Sequence, residues 1–247
     1  MKGGDVEVGV APPLYPGMME NPELRWAFIK KIYSILTVQI LLTVAVCAVV
    51  VAVHPIADFL FTTSPGLAIY IVCLVLPFII SILLYTYRQK HPFNFVLLGF
   101  YTVSISFVVG LTCAFTSGRA ILQAASVTAL LVVGLTLYTF WAAKRGRDFK
   151  ILGPFLFCSL VALIGFCVIR FLFPFGKITN TIFGCIGTII SSGYIIYDTD
   201  NLIKRYDYDN YIWASVNIYL DIINLFLSFF SQVLKLLLSL KARASQA

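Results

Sequence analysis

The chain has 247 residues, of which 60% are hydrophobic, 15% aromatic and only 12% charged. A water-soluble domain of this size carries about twice that charge on its surface, so the composition excludes an ordinary soluble globule and indicates a membrane protein. The 18 Lys and Arg exceed the 11 Asp and Glu, for a net charge of +7, but they sit in short stretches between apolar runs. That placement fits topology signalling and contact with anionic membrane lipid, and it argues against nucleic acid as a partner.

Residues 1–21, with Pro12, Pro13 and Pro16, read as a flexible N-terminal tail. They lack the early apolar core of a signal peptide, so the first span is expected to direct insertion. A helix is predicted to begin at Asn21-Pro22-Glu23, where Asn caps, Pro suits the first helical position and Glu favours the positive end. Seven apolar segments of bilayer-spanning length follow: Ile32–Val53, Gly66–Thr86, Phe93–Cys113, Ile121–Trp141, Ile151–Phe173, Ile178–Asp200 and Tyr211–Leu238. Connections rich in turn residues separate them, among them His54-Pro55, Ser64-Pro65-Gly66, Lys90-His91-Pro92 and Phe173-Pro174-Phe175-Gly176. Each segment must satisfy its own backbone in lipid, and the ten-residue alternation of a β-barrel is absent. The expected fold is therefore an all-α seven-transmembrane-helix bundle over residues 22–240, with a short tail at 241–247.

Basic residues set the orientation. With the N-terminus cytosolic, twelve of the 18 fall on the cytosolic side, including Arg25, Lys30, Lys31, Arg88, Lys90, Lys144, Arg145, Arg147, Lys150, Lys204 and Arg205. Lys235, Lys241 and Arg243 near the C-terminus pull the other way, so a six-span or re-entrant arrangement of the last helix remains open. The six cysteines, Cys47, Cys73, Cys113, Cys158, Cys167 and Cys185, lie in apolar runs without metal-ligand spacing and read as buried apolar residues. No Ser/His or Cys/His pairing or metal cluster suggests an enzyme, and no cofactor is implied.

Acid is nearly absent from the spans. The exceptions are Asp198 and Asp200 near the end of the sixth and Asp221 inside the seventh. A charge at a helix centre costs about 2.5–3.5 kcal/mol even on lenient insertion scales, so such residues ordinarily mark a functional path. Asn217, Asp221 and Asn224 share one helix face, and Ser228 and Ser231 extend the stripe. On the preceding helix Gly184, Gly187, Ser191, Tyr194 and Asp198 form a second face that permits close helix approach. The short connection makes these helices antiparallel neighbours, which puts Asp198 opposite Asp221. Asp200, about 200° round the helix, is expected at the interface. Two close carboxyls in a low dielectric would share one proton and titrate as a unit. The proton would bridge the helices at low pH; its loss would leave two repelling anions that need a cation. Arg88, at the cytosolic end of the second span, is a candidate latch for Asp198 or an ordinary positive-inside arginine. Two Asp, two Asn and backbone oxygens offer calcium a weak, transient shell at Asp198 and Asp221, as permeation requires; sodium or protons remain alternatives.

Ile195-Ile196-Tyr197-Asp198-Thr199, followed by Ile218-Tyr219-Leu220-Asp221-Ile222-Ile223-Asn224-Leu225-Phe226, closely resembles the signature of the transmembrane Bax inhibitor motif family. Leu24-Arg25 with Phe28-Ile29-Lys30-Lys31-Ile32-Tyr33 and Gln39 is similar to its Lifeguard branch, which includes the Golgi anti-apoptotic protein. The resemblance spans residues 22–238. It implies a seven-helix fold with the last helix central, a di-aspartyl pH sensor falling on Asp198 and Asp221, a latch on Arg88, and calcium leak from Golgi or endoplasmic reticulum stores that restrains stress-induced cell death. Some relatives carry a glutamate at the start of the fourth span where this chain has Gln123, so any role of that carboxylate is absent or altered. A proton-coupled cation transporter and a non-conducting regulator that binds cell-death or stress factors are the alternatives.

Overall fold

The computed structural model describes residues 12–172 and 177–244. The expectations for residues 1–11, for the Phe173–Gly176 connection and for the last three residues lie outside it. Every regular element among the described residues is helical: α1 (Pro22–Ala52), α2 (His54–Thr62), α3 (Ser64–Tyr87), α4 (Phe93–Cys113), α5 (Gly118–Lys144), α6 (Leu152–Leu172), α7 (Lys177–Lys204), a single 3₁₀ turn at Tyr208–Asn210, and α8 (Tyr211–Ala244).

Local chemistry sets the boundaries. The Asn21 side chain accepts from the Glu23 N–H at 2.9 Å, with Pro22 in the first turn, as the sequence predicts. Thr63 caps α3 in the same way, its hydroxyl accepting from the Gly66 N–H at 3.1 Å. The stretch between the first two spans, expected as a connection, instead forms α2. Pro55 suits its first turn, and Ala57 and Leu60 pack with Val50 and Leu111, so burial stabilises a helix where turn residues alone suggested a loop. The last helix runs to Ala244, past the expected end at Leu238, because Leu, Lys, Ala and Arg are all strong helix formers.

Six described helical stretches are long and apolar enough to cross a membrane: Pro22–Ala52, Ser64–Tyr87, Phe93–Cys113, Gly118–Lys144, Ile182–Lys204 and Tyr208–Lys235. The remaining expected span, the fifth (Ile151–Phe173), coincides with α6, whose described apolar part, Leu152–Phe166, is shorter. Val38, Leu41, Phe78, Ile82, Leu130 and Ile189 point outward and stay exposed, as residues facing lipid do.

The last helix is the most enclosed. Over half of its apolar window (56%) is buried, against at most 39% for any other span, and it packs on α1, α4, α5 and α7. Lipid supplies no hydrophobic force between helices, so close backbone approach and polar contacts hold them together. At Gly110 a Cβ would meet the Val50 Cβ at 2.9 Å, so α4 lies almost against α1. Between α1, α4 and α8 a buried polar chain runs from Gln39 to Thr102 (3.2 Å), and from Ser106 through Thr43 to the Tyr219 hydroxyl at 3.0 and 2.8 Å. Residues 12–20, read from sequence as tail, turn back onto this bundle. Leu14 is buried in the main core, with Tyr15 and Met18 packed against it.

Candidate functional site

α7 and α8 are antiparallel neighbours and make the most extensive helix contact of the chain. Small residues allow it. A Cβ at Gly184 would reach the Gln232 side chain at 3.1 Å, and one at Gly187 the Ser228 hydroxyl at 3.2 Å. About two to three turns beyond this close contact the helices carry their acids. Asp198 and Asp221 are both buried, at 8% and 7% exposure, and their carboxyls lie within electrostatic reach of each other. Two carboxyls so close in a low dielectric favour a state with one proton between them. Asp198 Oδ1 also lies 3.5 Å from the Asn201 amide, while Asp221 Oδ2 is buried without a donor from the protein. That oxygen therefore keeps unused hydrogen-bonding capacity.

The polar stripe divides around this pair. Ser191, Tyr194, Asn224 and Ser228 face a cleft of about 790 Å³ between α6, α7 and α8, with Leu160, Leu163 and Ile164 forming its apolar wall. Tyr194 closes the inner end of the cleft, its hydroxyl donating to the Leu156 carbonyl at 2.9 Å. Asn217 lies on the other side of the pair. Its amide donates to the Tyr206 hydroxyl at 2.8 Å, so it belongs to the closed end of the bundle rather than to the cleft.

One expectation changes. Asp200 is not interfacial but fully buried (0%) and paired with Lys204 at 2.6 Å and Arg205 at 3.2 Å. The α5–α6 loop makes the enclosure: its Phe149 N–H donates to Asp200 at 3.3 Å, Arg205 also bonds Asp148, and Lys204 bonds the Arg147 carbonyl. Arg88 is not brought to Asp198. It ends α3 with its guanidinium 4.5 Å from the Tyr85 ring, and the basic groups nearest the acids of α7 are Lys204 and Arg205. The signal for this clamp was present in the sequence, since Asp200 and Lys204 stand at the i,i+4 spacing of helical ion pairs. Arg25 gave no such signal. It is 2% exposed and bonds Glu20 and the Tyr206 carbonyl, both at 2.6 Å, with its guanidinium 4.9 Å from the Tyr208 ring.

Among the described residues no group of three or more His, Cys, Asp or Glu side chains is placed to hold a metal ion. Neither acid lines the cleft itself; Tyr194, which does, lies within electrostatic reach of both.

A family model described as inhibitor of apoptosis-promoting Bax1 matches residues 25–237. Protein LIFEGUARD 2 of Arabidopsis thaliana is 59% identical over 216 residues, covering 87% of this chain and 90% of its own. Protein lifeguard 4 of Mus musculus is 34% identical over 206 residues, with 83% of each chain covered. The Golgi anti-apoptotic protein of Vaccinia virus (strain Lister) is 35% identical over 204 residues, again with 83% of each covered.

Proposed function

The chain belongs to the family of inhibitors of apoptosis-promoting Bax1, as a multi-pass membrane protein, and from that premise we propose that it is a pH-sensitive calcium leak channel that restrains stress-induced cell death. Its site is the Golgi or endoplasmic reticulum membrane, with the basic end of the bundle in the cytosol. Support for the compartment comes from the name of the viral relative, and support for the orientation from the basic residues at that end. One observation carries the channel reading: two carboxyls, Asp198 and Asp221, are buried close together on neighbouring helices, beside a cleft that Ser191, Tyr194, Asn224 and Ser228 help to line, in a bundle with little other acid in its spans.

Protonated once, the pair ties α7 to α8 and the cleft stops there. Deprotonated, it presents two anions at the end of a polar wall, and a cation entering the cleft relieves their repulsion. The cleft is open on one side of the pair only, which also suits a proton-coupled transporter. Efflux of calcium, sodium and protons from liposomes holding the purified chain tests the reading. Calcium release that grows as pH rises from 6 to 8 supports it; no release rejects it, and calcium accumulation driven by a pH gradient would transfer the argument to the transporter.

Two other carboxylates at the basic end are excluded as the sensor by the sign of their linkage. Partial burial pushes Glu20 up, but the hydroxyl of Tyr208 and the hydrogen bond and charge of Arg25 outweigh it, and the carboxyl ends below its ordinary value. Asp148 behaves alike: slight burial raises it, while the Lys150 N–H and the Arg205 and Lys204 charges bring it down. Groups lowered on folding contribute stability above their unfolded range and lose it as pH falls through the folded value, below about 4. Both stay ionised between pH 6 and 8. Glu20→Gln and Asp148→Asn are therefore expected to leave the pH midpoint of calcium release where it is, and a shifted midpoint in the efflux assay would contradict this.

A further inference from the structure

The side of the Asp198–Asp221 pair away from the cleft ends in a second hollow. At the basic end a vestibule of about 350 Å³ is bordered by Glu20, Arg25, Arg205, Tyr206, Asp207 and Asn210. Glu20, with 43% of its side chain exposed, places this hollow at the surface. The residue between vestibule and acids is Tyr206. It faces the vestibule, it lies within electrostatic reach of both Asp198 and Asp221, and its hydroxyl is held by Asn217, one turn before Asp221 on α8.

The backbone of Tyr206 is held as well. Its carbonyl accepts from the buried Arg25 at 2.6 Å, and its N–H donates to the Asn201 carbonyl at 2.9 Å. Asn201 in turn takes a bond from Arg205 and reaches Asp198. Side chain and main chain of one residue are thus tied to α1, α7 and α8 together. A surface loop tyrosine in the turn between two helices has no need of such anchoring, whereas a partition that must hold a ring in one place does.

We infer that Tyr206 is the plug of the permeation path at the basic end, its ring separating the vestibule from the aspartate pair and its hydroxyl fastened by Asn217. The inference rests on the leak reading for its purpose, but the partition itself is a matter of access and is testable apart from conduction. With the ring in place a hydrated cation released by the pair has no exit toward the basic end. When the Asn217 bond breaks, the ring is free to swing into the vestibule, and cleft, pair and vestibule become one path.

The test places a thiol at the pair, by Asp221→Cys, in chains carrying Tyr206, Tyr206→Phe or Tyr206→Ala. A membrane-impermeant quaternary-ammonium methanethiosulfonate is applied from the basic side of sealed, orientation-sorted liposomes, and labelling is followed by mass; the same chains without Asp221→Cys give the background from native cysteines. Tyr206→Ala is expected to speed labelling by tenfold or more, on the order expected when a buried barrier is removed. Tyr206→Phe, which keeps the ring and loses one hydrogen bond, is expected to speed it about two- to tenfold. Labelling that stays at the Tyr206 rate in both variants, with melting unchanged, overturns the plug. If Tyr206→Ala fails to fold, the Tyr206→Phe arm decides alone. Calcium release from Tyr206, Tyr206→Phe and Tyr206→Ala chains with Asp221 intact is measured alongside. Accelerated labelling with no calcium release from any chain keeps the partition and removes the leak reading; release from the Tyr206 chain that neither variant raises keeps the leak and removes the plug.

Discussion

Asp221→Asn is expected to fix calcium release at the slow, low-pH rate across the whole range from pH 6 to 8. The amide is the same size as the carboxyl and donates permanently, so it satisfies Asp198 as the shared proton does but never leaves. For a single titrating step the conducting fraction changes by at most about tenfold per pH unit, so over two units the parent chain and the variant separate by up to about a hundredfold at pH 8 and converge at pH 6. Asp198→Asn is expected to mirror it, because each acid acts electrostatically on the other. The double substitution should not add to either single one, since the two acids act as one unit. Efflux from calcium-loaded liposomes, with the external pH stepped, measures all three. A variant that keeps the parent's slope would remove the pair from the mechanism, while the helical bundle would be untouched.

The second large effect falls on stability. Asp200 has no exposed surface and faces two cations, Lys204 and Arg205, while the α5–α6 loop donates a backbone N–H to it. Deleting one member of a buried ionic cluster leaves the others uncompensated and costs about 3–5 kcal/mol. Lys204 and Arg205 retain some contact with solvent, at 11% and 29% exposure, so the lower figure applies. Asp200→Ala is therefore expected to lower the melting midpoint of the detergent-solubilised protein by roughly 6–12 °C. Asp200→Asn, which still accepts from Phe149, should lose less. An unchanged midpoint for Asp200→Ala would mean that the loop is held by Asp148 and Arg205 alone. The experiment also separates the two acids of this helix turn: Asp198 is expected to govern release with little effect on melting, and Asp200 the reverse.

The helices, and the burial of Asp198 and Asp221 on two packed antiparallel neighbours, were readable from hydropathy and helical spacing. Apolar runs in lipid have one backbone solution, and a short connection forces neighbours to be antiparallel. The stripe of Ser191, Tyr194, Asn224 and Ser228 followed from the same periodicity. What periodicity does not carry is enclosure by segments distant along the chain. Asp200 looked interfacial because its helix angle is right for it, and only the α5–α6 loop folding over it makes it buried. Asn217 shares a face with Asp221, yet it bonds Tyr206, a residue of the turn whose course no pattern of 3.6 residues describes. The segment His54–Thr62 was hidden by Pro55 and the turn residues around it, and burial of Ala57 and Leu60 decided its conformation. Arg88 and Arg25 are both basic residues at the same end; which of them is buried depends on where the Tyr206 carbonyl lies, 181 residues away from Arg25.

The outer wall of the cleft has a consequence for how the protein senses its surroundings. Among the described residues helix α6 packs chiefly on α7, so in a bilayer much of its remaining flank would meet fatty-acyl chains rather than protein. Thinning or stretching the bilayer tilts such a helix before it disturbs the others. The width of the cleft is thereby coupled to membrane tension and lipid length, and the same polypeptide will behave differently in thin and thick membranes without any change in its own charges.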